Sequence, residues 1–381
     1  MIASSLFFLL FIATIIPGIV TDNQCDCYFT NESSANYFTT HKFFDFRSLS
    51  EYAGVPRPIT DACSQALATS DYFLADDWNE HWGIQQWNNS DSVDSGDAPL
   101  LNINSPNNVY IETNDDDEAS SDTYLTMRTL RLTDFQSSAE FESISRTYHF
   151  LSVRMYARTI GSPGAVFETD RTAMFTYKDN GDPSQLTHVQ ESDLEILTKD
   201  PEDSIQYTNQ PSYSSKGDDV PESTRNVTTS SSTNWTEWAV HRMDWDPSAT
   251  TWFIDGKQVA SIAFQVPRDP SQVIFNSWSD GGEWSGEMDD QTSAYLQIQW
   301  IDMVYNSTEY SGDTKRSTYF GSSLWGKRDG KTCDKVCSID ETTTTGTPVM
   351  LTGRASRVYG DSGAVHFWIP LLLSFVLLCL T

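Results

Sequence analysis

The chain has 381 residues, and its 24 lysines and arginines stand against 53 aspartates and glutamates, a formal charge of −29 at pH 7. Carboxylates in that excess repel phosphate backbones and anionic headgroups, which excludes sequence-independent nucleic-acid binding and polybasic membrane attachment and leaves neutral or cationic partners. With 12 Trp, 16 Tyr and 20 Phe, the chain is too aromatic for a disordered polyelectrolyte and has the material for a large buried core.

In chain order, the first feature is the apolar run Leu6-Phe7-Phe8-Leu9-Leu10-Phe11-Ile12. It is too short to span a bilayer but has the length of a signal-peptide core, with Pro17 and Gly18 near a cleavage point, although no Lys or Arg precedes it. Residues 1–21 are therefore expected to be a secretion signal. Asn-x-Ser/Thr sequons follow at Asn31, Asn88, Asn226, Asn234 and Asn306, each an exposed site in an exported chain. Cys25, Cys27, Cys63, Cys333 and Cys337 cluster towards the two ends. In an exported protein they imply two disulfides tying the ends together plus one free thiol, with the pairing left open, rather than a zinc site. No metal or other cofactor is expected, and a monomer is.

A helical turn is predicted at residues 64–69. The run Asn114-Asp115-Asp116-Asp117-Glu118 reads as a solvated loop ahead of a calcium site. Residues 124–130, 150–158 and 251–254 are short, close to alternating and rich in aromatic or β-branched side chains, the pattern of strands. Asp255-Gly256 followed by residues 258–264 is a strong hairpin signal. Long helical periodicity is hard to find. Residues 22–340 thus read as a single all-β domain, a β-sandwich or jelly roll with short helical turns. Thr342 to Thr347 and the small residues after it make residues 341–364 a Thr/Ser-rich stalk with a GPI-attachment region. Residues 365–381, apolar and short for a membrane span, are its cleaved tail.

The chemistry concentrates in Glu191-Ser192-Asp193-Leu194-Glu195. Spacing alone proves nothing, because with 53 acidic residues in 381 such a triplet occurs about once by chance. Context adds weight: the segment runs on through Leu194, Ile196 and Leu197 with strand character, so Glu191, Asp193 and Glu195 share one face and Leu194 and Ile196 take the other. Like charges in a row raise one another's pKa, an arrangement that suggests a use. A retaining glycosidase needs two carboxyl groups roughly 5 to 5.5 Å apart, one nucleophile and one proton donor. Two Glu side chains leaning together across a twisted sheet meet much of that requirement, with Asp193 between them as a proton-sharing partner.

The segment resembles the Glu-x-Asp-x-Glu signature of glycoside hydrolase family 16, whose fold is a concanavalin-like jelly roll. Other blocks resemble the family in the same order: Pro163-Gly164-Ala165-Val166 with Met174-Phe175-Thr176-Tyr177, then Tyr207-Thr208-Asn209-Gln210, then residues 238–245 with Trp252-Phe253-Ile254-Asp255-Gly256. The last block is Asn276-Ser277-Trp278-Ser279-Asp280-Gly281-Gly282 with Trp284-Ser285-Gly286. The likeness runs from about residue 44 to 305. It implies Glu191 as nucleophile, Asp193 as auxiliary carboxylate and Glu195 as general acid/base. It further implies Asn209, Asn276, Trp278, Asp280 and Trp284 as contacts to a β-glucan, and Ser192 departs from the hydrophobic residue usual at its position. One residue between Asp193 and Glu195 is a spacing common among lichenase-like and transglycosylating members.

Pyranose rings present C–H faces to Trp and hydroxyls to amides and carboxylates, a mixture that Trp278 and Trp284 supply with Asn276 and Asp280. Trp245 and Trp252 are assigned to the core, and Trp235, beside the Asn234 sequon, to the surface. His149, His188 and His241 are assigned structural roles. The expected function is that of an exported, GPI-linked retaining endo-β-glucanase of the cell surface or wall, acting on cell-wall β-1,3 or β-1,3-1,4 glucan; a cell-wall glucan or chitin-glucan transglycosylase using the same carboxylates and a non-catalytic glucan-binding wall protein are the alternatives.

Overall fold

The computed structural model describes residues 24–351 apart from 32–33, 65, 67–68, 168–174, 178–188, 215, 230–233, 283 and 309–332. The expected signal, His188 and the apolar tail lie outside the described residues. In chain order the strands are β1 (Cys27–Phe29), β2 (Tyr37–Phe38), β3 (Thr40–Asp45), β4 (Trp82–Ile84), β5 (Asn102–Asn104), β6 (Val109–Thr113), β7 (Thr123–Arg131) and β8 (Gln136–Ser143). They continue as β9 (Tyr148–Gly161), β10 (Val166–Phe167), β11 (Phe175–Tyr177), β12 (Glu191–Leu197), β13 (Ser204–Gln210), β14 (Thr224–Thr228), β15 (Ala239–Trp245) and β16 (Thr250–Ile254). The last are β17 (Lys257–Ile262), β18 (Gln272–Ser277), β19 (Ser293–Ser307), β20 (Val336–Ser338) and β21 (Val349–Met350).

Two antiparallel sheets face each other. One runs β4-β8-β18-β11-β12-β13-β14, and the other β6-β7-β19-β9-β15-β16-β17. Strand β8 starts beside β7 and ends beside β18, so it joins the two layers at a corner. Alternation along each strand sends one set of side chains into the space between the layers. Leu194, Ile196, Tyr207, Val273 and Phe275 meet Val153, Met155, Met243, Trp245, Trp252 and Leu296 there in a single apolar cluster. Trp245 and Trp252 are core residues, as expected. Trp235 is also buried, with its indole Nε1 donating to Pro201 O at 3.1 Å, which corrects its assignment to the surface. Among the described residues helical structure is confined to short pieces. The described residues of 64–69 form none; a 3-10 turn at Asp71–Leu74, capped by Ser70 Oγ, stands in its place.

A third, four-stranded sheet, β2-β1-β20-β21, is built from the two ends of the chain and packs Tyr28, Phe38, Cys337 and Ile339 against Val304. Disulfides Cys25–Cys337 and Cys27–Cys333 tie the ends, and among the described residues Cys63 is the free, exposed thiol. Both bridges join the same two short segments, so once one has closed a loop of some 300 residues the other closes only a small ring. Because β21 pairs with β20 and Leu351 N donates to Val336 O, the folded body extends to residue 351. The Thr-rich stretch from Thr342 to Thr347 is therefore a turn folded back on the body, where the sequence suggested the start of a stalk beyond 340.

Candidate active site

Strand β12 carries the acid row. Its backbone register sets Glu191 opposite Gln210, Asp193 opposite Thr208 and Glu195 opposite Gln206 on β13, so alternate residues of both strands share a face. All three acids are buried, with 2%, 0% and 1% of their surface exposed. Gln206 Nε2 and Thr208 Oγ1, the latter at 3.2 Å, both donate to the same oxygen of Glu195, Oε2. Leu194 and Ile196 point the other way into the core. Between them and the strand's start, Ser192 Oγ donates to Asn209 Oδ1 at 2.7 Å and lies 2.8 Å from Thr250 Oγ1 of the facing sheet. The Ser192 hydroxyl thus pins the back of β12 to β13 and to the opposite layer.

That register corrects one expectation. Asn209 pairs with Ser192, so it belongs to the core face and does not reach the acids. It is fully buried, and its Nδ2 donates to Ile262 O at 3.3 Å and Phe264 O at 2.8 Å. Asn209→Ala should cost about 1–3 kcal/mol of stability by orphaning those groups, with KM for any glycan unchanged. Thermal unfolding and initial rates on the same sample check both halves of that prediction.

The aromatic block lies on the acid face, two strands away. Glu191 is paired with Tyr177 and Tyr177 with Gln272; at the other end Leu197 is paired with Val166, which exchanges backbone bonds with Trp278 at 2.8 and 3.0 Å. Strand spacing then puts Gln272, Ile274 and Asn276 roughly 10 Å from the acid row on the same face, with Trp278 continuing the line. There a cavity of about 380 Å³ is bounded by Trp87, Asn104, Glu140, Asn276, Trp278 and Trp284, among others that include Asp97 and Asp280. The Trp278 and Trp284 rings are 6.1 Å apart and tilted by 30°. Of the residues expected to bind sugar, Asn276, Trp278, Asp280 and Trp284 come together here. Asp280 also ties its own loop, since Oδ1 accepts from the backbone of Gly282 at 2.8 Å and of Ser285 at 3.1 Å. Gly164 lets that loop close: a side chain there would strike the Glu287 backbone at 2.6 Å, and its carbonyl accepts from Ser279 Oγ.

Glu140 was not singled out from the sequence. It sits opposite Asn276 on β8, is 4% exposed, and accepts from Trp87 Nε1 at 2.8 Å and Asn104 Nδ2 at 3.3 Å. Two residues on, Glu142 has its pKa raised by burial, against the opposing pull of its hydrogen bond with Glu140, the Arg146 charge and the Gln272 amide. The alternation of Glu140 and Glu142 around core Phe141 was the available signal, but no motif marked it.

The remaining candidates fall elsewhere. His241 is wholly inside the sandwich, where desolvation lowers its pKa to about 4. His149 Nε2 lies 3.1 Å from Arg268 O. In the acidic run, Asp116 pairs with Arg158 at 2.9 Å and accepts from Trp238 Nε1 at 3.1 Å, so this carboxylate is engaged within the protein. Asn88 and Asn226 are exposed, and Asn31, Asn234 and Asn306 partly so.

A β-sandwich with a carboxyl row and an adjoining tryptophan-lined cavity on one sheet face has the build of a carbohydrate-active enzyme. The family model for glycosyl hydrolases family 16 matches residues 104–302, and the chain belongs to that family, a family of glycosidases. A curated relative, a xylanase/beta-glucanase of Ruminococcus flavefaciens, is 23% identical over 192 residues, half of this chain; the match spans about a fifth of that protein's length, 21%. Among solved structures, the Bacillus licheniformis beta-glucanase is 19% identical at a TM-score of 0.45, covering 60% of this chain and 93% of its own. A beta-1,3-1,4-glucanase (lichenase) from a mouse hindgut metagenome gives 19% and 0.45, covering 71% of this chain and 100% of its own. The endo-beta-1,3-glucanase of Pyrococcus furiosus gives 17% and 0.45, covering 60% and 90%.

Proposed function

We propose that the chain is an exported, cell-surface glycosidase that cleaves β-1,3 or β-1,3-1,4 glucan with retention of configuration. The observation that carries this reading is the common face of Glu191, Asp193 and Glu195 on a single strand, in a chain of this family. In the proposed cycle Glu191 attacks the anomeric carbon while Glu195 gives its proton to the departing glycosidic oxygen. Glu195, now a carboxylate, then takes a proton from the incoming hydroxyl that releases the sugar from Glu191. Asp193, on the same face between them, serves as the partner whose charge state keeps the two glutamates in different roles. The tryptophan-lined cavity takes sugar units on one side of the cleaved bond. Two disulfides and accessible sequons support export. The apolar tail would then be replaced by a lipid anchor.

If the incoming hydroxyl belongs to another sugar, the same carboxylates perform transglycosylation, and the one-residue spacing between Asp193 and Glu195 favours keeping that reading. Incubation of the mature protein with laminarin and lichenan oligomers, with product sizing, decides between them. Shorter products mean hydrolysis and products longer than the input mean transfer. Unchanged oligomers that co-migrate with the protein would replace both readings with a binding protein.

A further inference from the structure

We propose that Asn226 carries an N-linked glycan that walls off one end of the cleft and so sets how far a bound glucan extends past the acid row. This rests on the export and glycosidase readings above, and adds a modification that limits the length of chain the site accepts. Its basis is the backbone register of one sheet. Glu195 is paired with Gln206 on β13, and Gln206 with Asn226 on β14. Directly paired residues point to the same side of a sheet, so the three side chains stand in one row on the acid face. Side-chain contacts agree. Gln206 Nε2 and Thr208 Oγ1 both donate to Glu195 Oε2, and Thr208 Oγ1 lies 3.4 Å from the hydroxyl of Thr224, two residues before Asn226 on β14. Val227 packs against the core from the opposite face. Asn226 and Thr228, the acceptor and the hydroxyl of the sequon Asn226-Val227-Thr228, are both exposed.

The same row continues on the other side of the acids. Strands β12 and β18 are both antiparallel to β11, hence parallel to each other, and Gln272 is level with Glu191 through Tyr177. Four residues further along both strands, Asn276 is level with Glu195, and Asn276 is paired with Glu140 in the wall of the tryptophan-lined cavity. A glucan that leaves this cavity and crosses Glu195 therefore runs towards Gln206 and Asn226. At roughly 5 Å between neighbouring strands, Asn226 is about 10 Å beyond Glu195, a length of about two sugar units. Strand β14 is the last of this sheet among the described residues. A bulky oligosaccharide on its cleft side occupies the exit over which a longer glucan has to pass. The other sequons do not share this row. Asn31 and Asn306 belong to the chain-end region, where they bond to Asp340 and Tyr37. Asn88, between Trp87 and Asn89 of the cavity wall, turns its Oδ1 to Ser90 N at 3.0 Å.

The test uses the full chain produced through a eukaryotic secretory pathway, as parent, Asn226→Gln, Thr228→Ala and Thr228→Ser. Mass spectrometry of the peptide containing Asn226 reads occupancy, and kcat/KM is measured on laminarin and lichenan oligomers of increasing length. The parent and Thr228→Ser should be occupied, with kcat/KM levelling off once an oligomer fills the cavity and reaches β14. Asn226→Gln and Thr228→Ala lose the glycan through different residues and should behave alike. On the longest oligomers their kcat/KM should rise about fivefold or more, mostly through a lower KM, because the regained contacts are made equally in ground and transition states. The shortest oligomers should be unaffected. An unoccupied Asn226 in the exported protein overturns the proposal. So does a gain in Asn226→Gln that Thr228→Ala does not share, which would belong to the side chain. A lower unfolding temperature with the length profile unchanged would make the glycan a cover for the β14 edge and overturns it too. If all forms cleave glucans with the same length profile, the cleft-end inference alone falls. If no form cleaves or transfers any glucan, the glycosidase reading falls with it.

Discussion

Glu191→Gln is expected to remove turnover on every glycan substrate, by about 10⁴-fold or more, while leaving the unfolding temperature unchanged or slightly raised. The amide keeps the volume of a side chain that is 2% exposed, and it removes one member of a row of three buried carboxyl groups. Loss of the nucleophile also removes the covalent intermediate, so a small anion such as azide should restore turnover to the truncated Glu191→Ala and yield a product of inverted configuration. Glu195→Gln is the paired experiment. It should lower kcat by about 10²–10⁴-fold on natural linkages, yet far less on an aryl glycoside whose phenolate leaves without protonation. Gln206 and Thr208 already donate to Oε2 of Glu195, and the new amide must accommodate those donors, so its unfolding temperature is measured alongside. If Glu191→Gln turns over at the parental rate, the assignment of β12 is wrong. If the two variants respond alike to the aryl substrate, their roles are not distinct.

The same strand shows why part of the site was legible in the sequence. A period of two needs only the local chain, so Glu191, Asp193 and Glu195 were placed on one face, and Ser192 on the other, before any partner strand was known. Trp278, Trp284 and Asn276 were legible as a mixture of aromatic and amide side chains within one short block. Glu140 and Trp87 were not, because their membership in the site depends on β8 lying beside β18 and on residues 87–104 folding over its end. Asn209 failed for the opposite reason. Its segment does run beside the acids, but the one-residue offset from Gln210 and Thr208 puts it on the core face, which a sequence block cannot reveal. The same limit hid the fate of the C-terminal Thr-rich stretch: composition suggests an extended stalk, while the pairing of β21 with β20 is a contact between residues whose local sequence carries no strand period.

Asp340→Ala should be the most destabilising single substitution outside the sandwich core, at about 3–5 kcal/mol and on the order of 10 °C in unfolding temperature. Asp340 follows β20 and reaches back across the outer face of the second sheet. One oxygen pairs with Arg154 and lies 3.5 Å from Arg242, and the other accepts from Asn31 N at 2.6 Å. Arg242 in turn donates to both oxygens of Asp244, at 2.7 and 2.5 Å, and to Asn31 O at 3.1 Å, while Ser34 Oγ also donates to Asp244. The chain ends are thus held by a buried charge network as well as by disulfides, and without Asp340 the buried Arg154 guanidinium loses this ion pair and keeps its bond to Ser152 Oγ at 3.3 Å, while Arg242 keeps Asp244. Burial pushes the Asp340 carboxyl up, but Arg154, Arg242 and the Asn31 amide outweigh it and hold the carboxyl below its ordinary value of 3.8. With the folded value depressed, the contribution is fully present above that ordinary value. It is lost as pH falls from about 4 through the lower folded one. The parent should therefore lose unfolding temperature steeply in that acid window, and Asp340→Ala, already lacking the term, should lose less. Asp340→Asn, which keeps the shape without the charge, should fall between them. Calorimetric melts of the three proteins from neutral to acid pH, with the disulfides intact, decide the matter. Parallel curves displaced by less than about 2 °C would show that the disulfides and the apolar contacts of Tyr28, Phe38 and Ile339 hold the ends without help from this network.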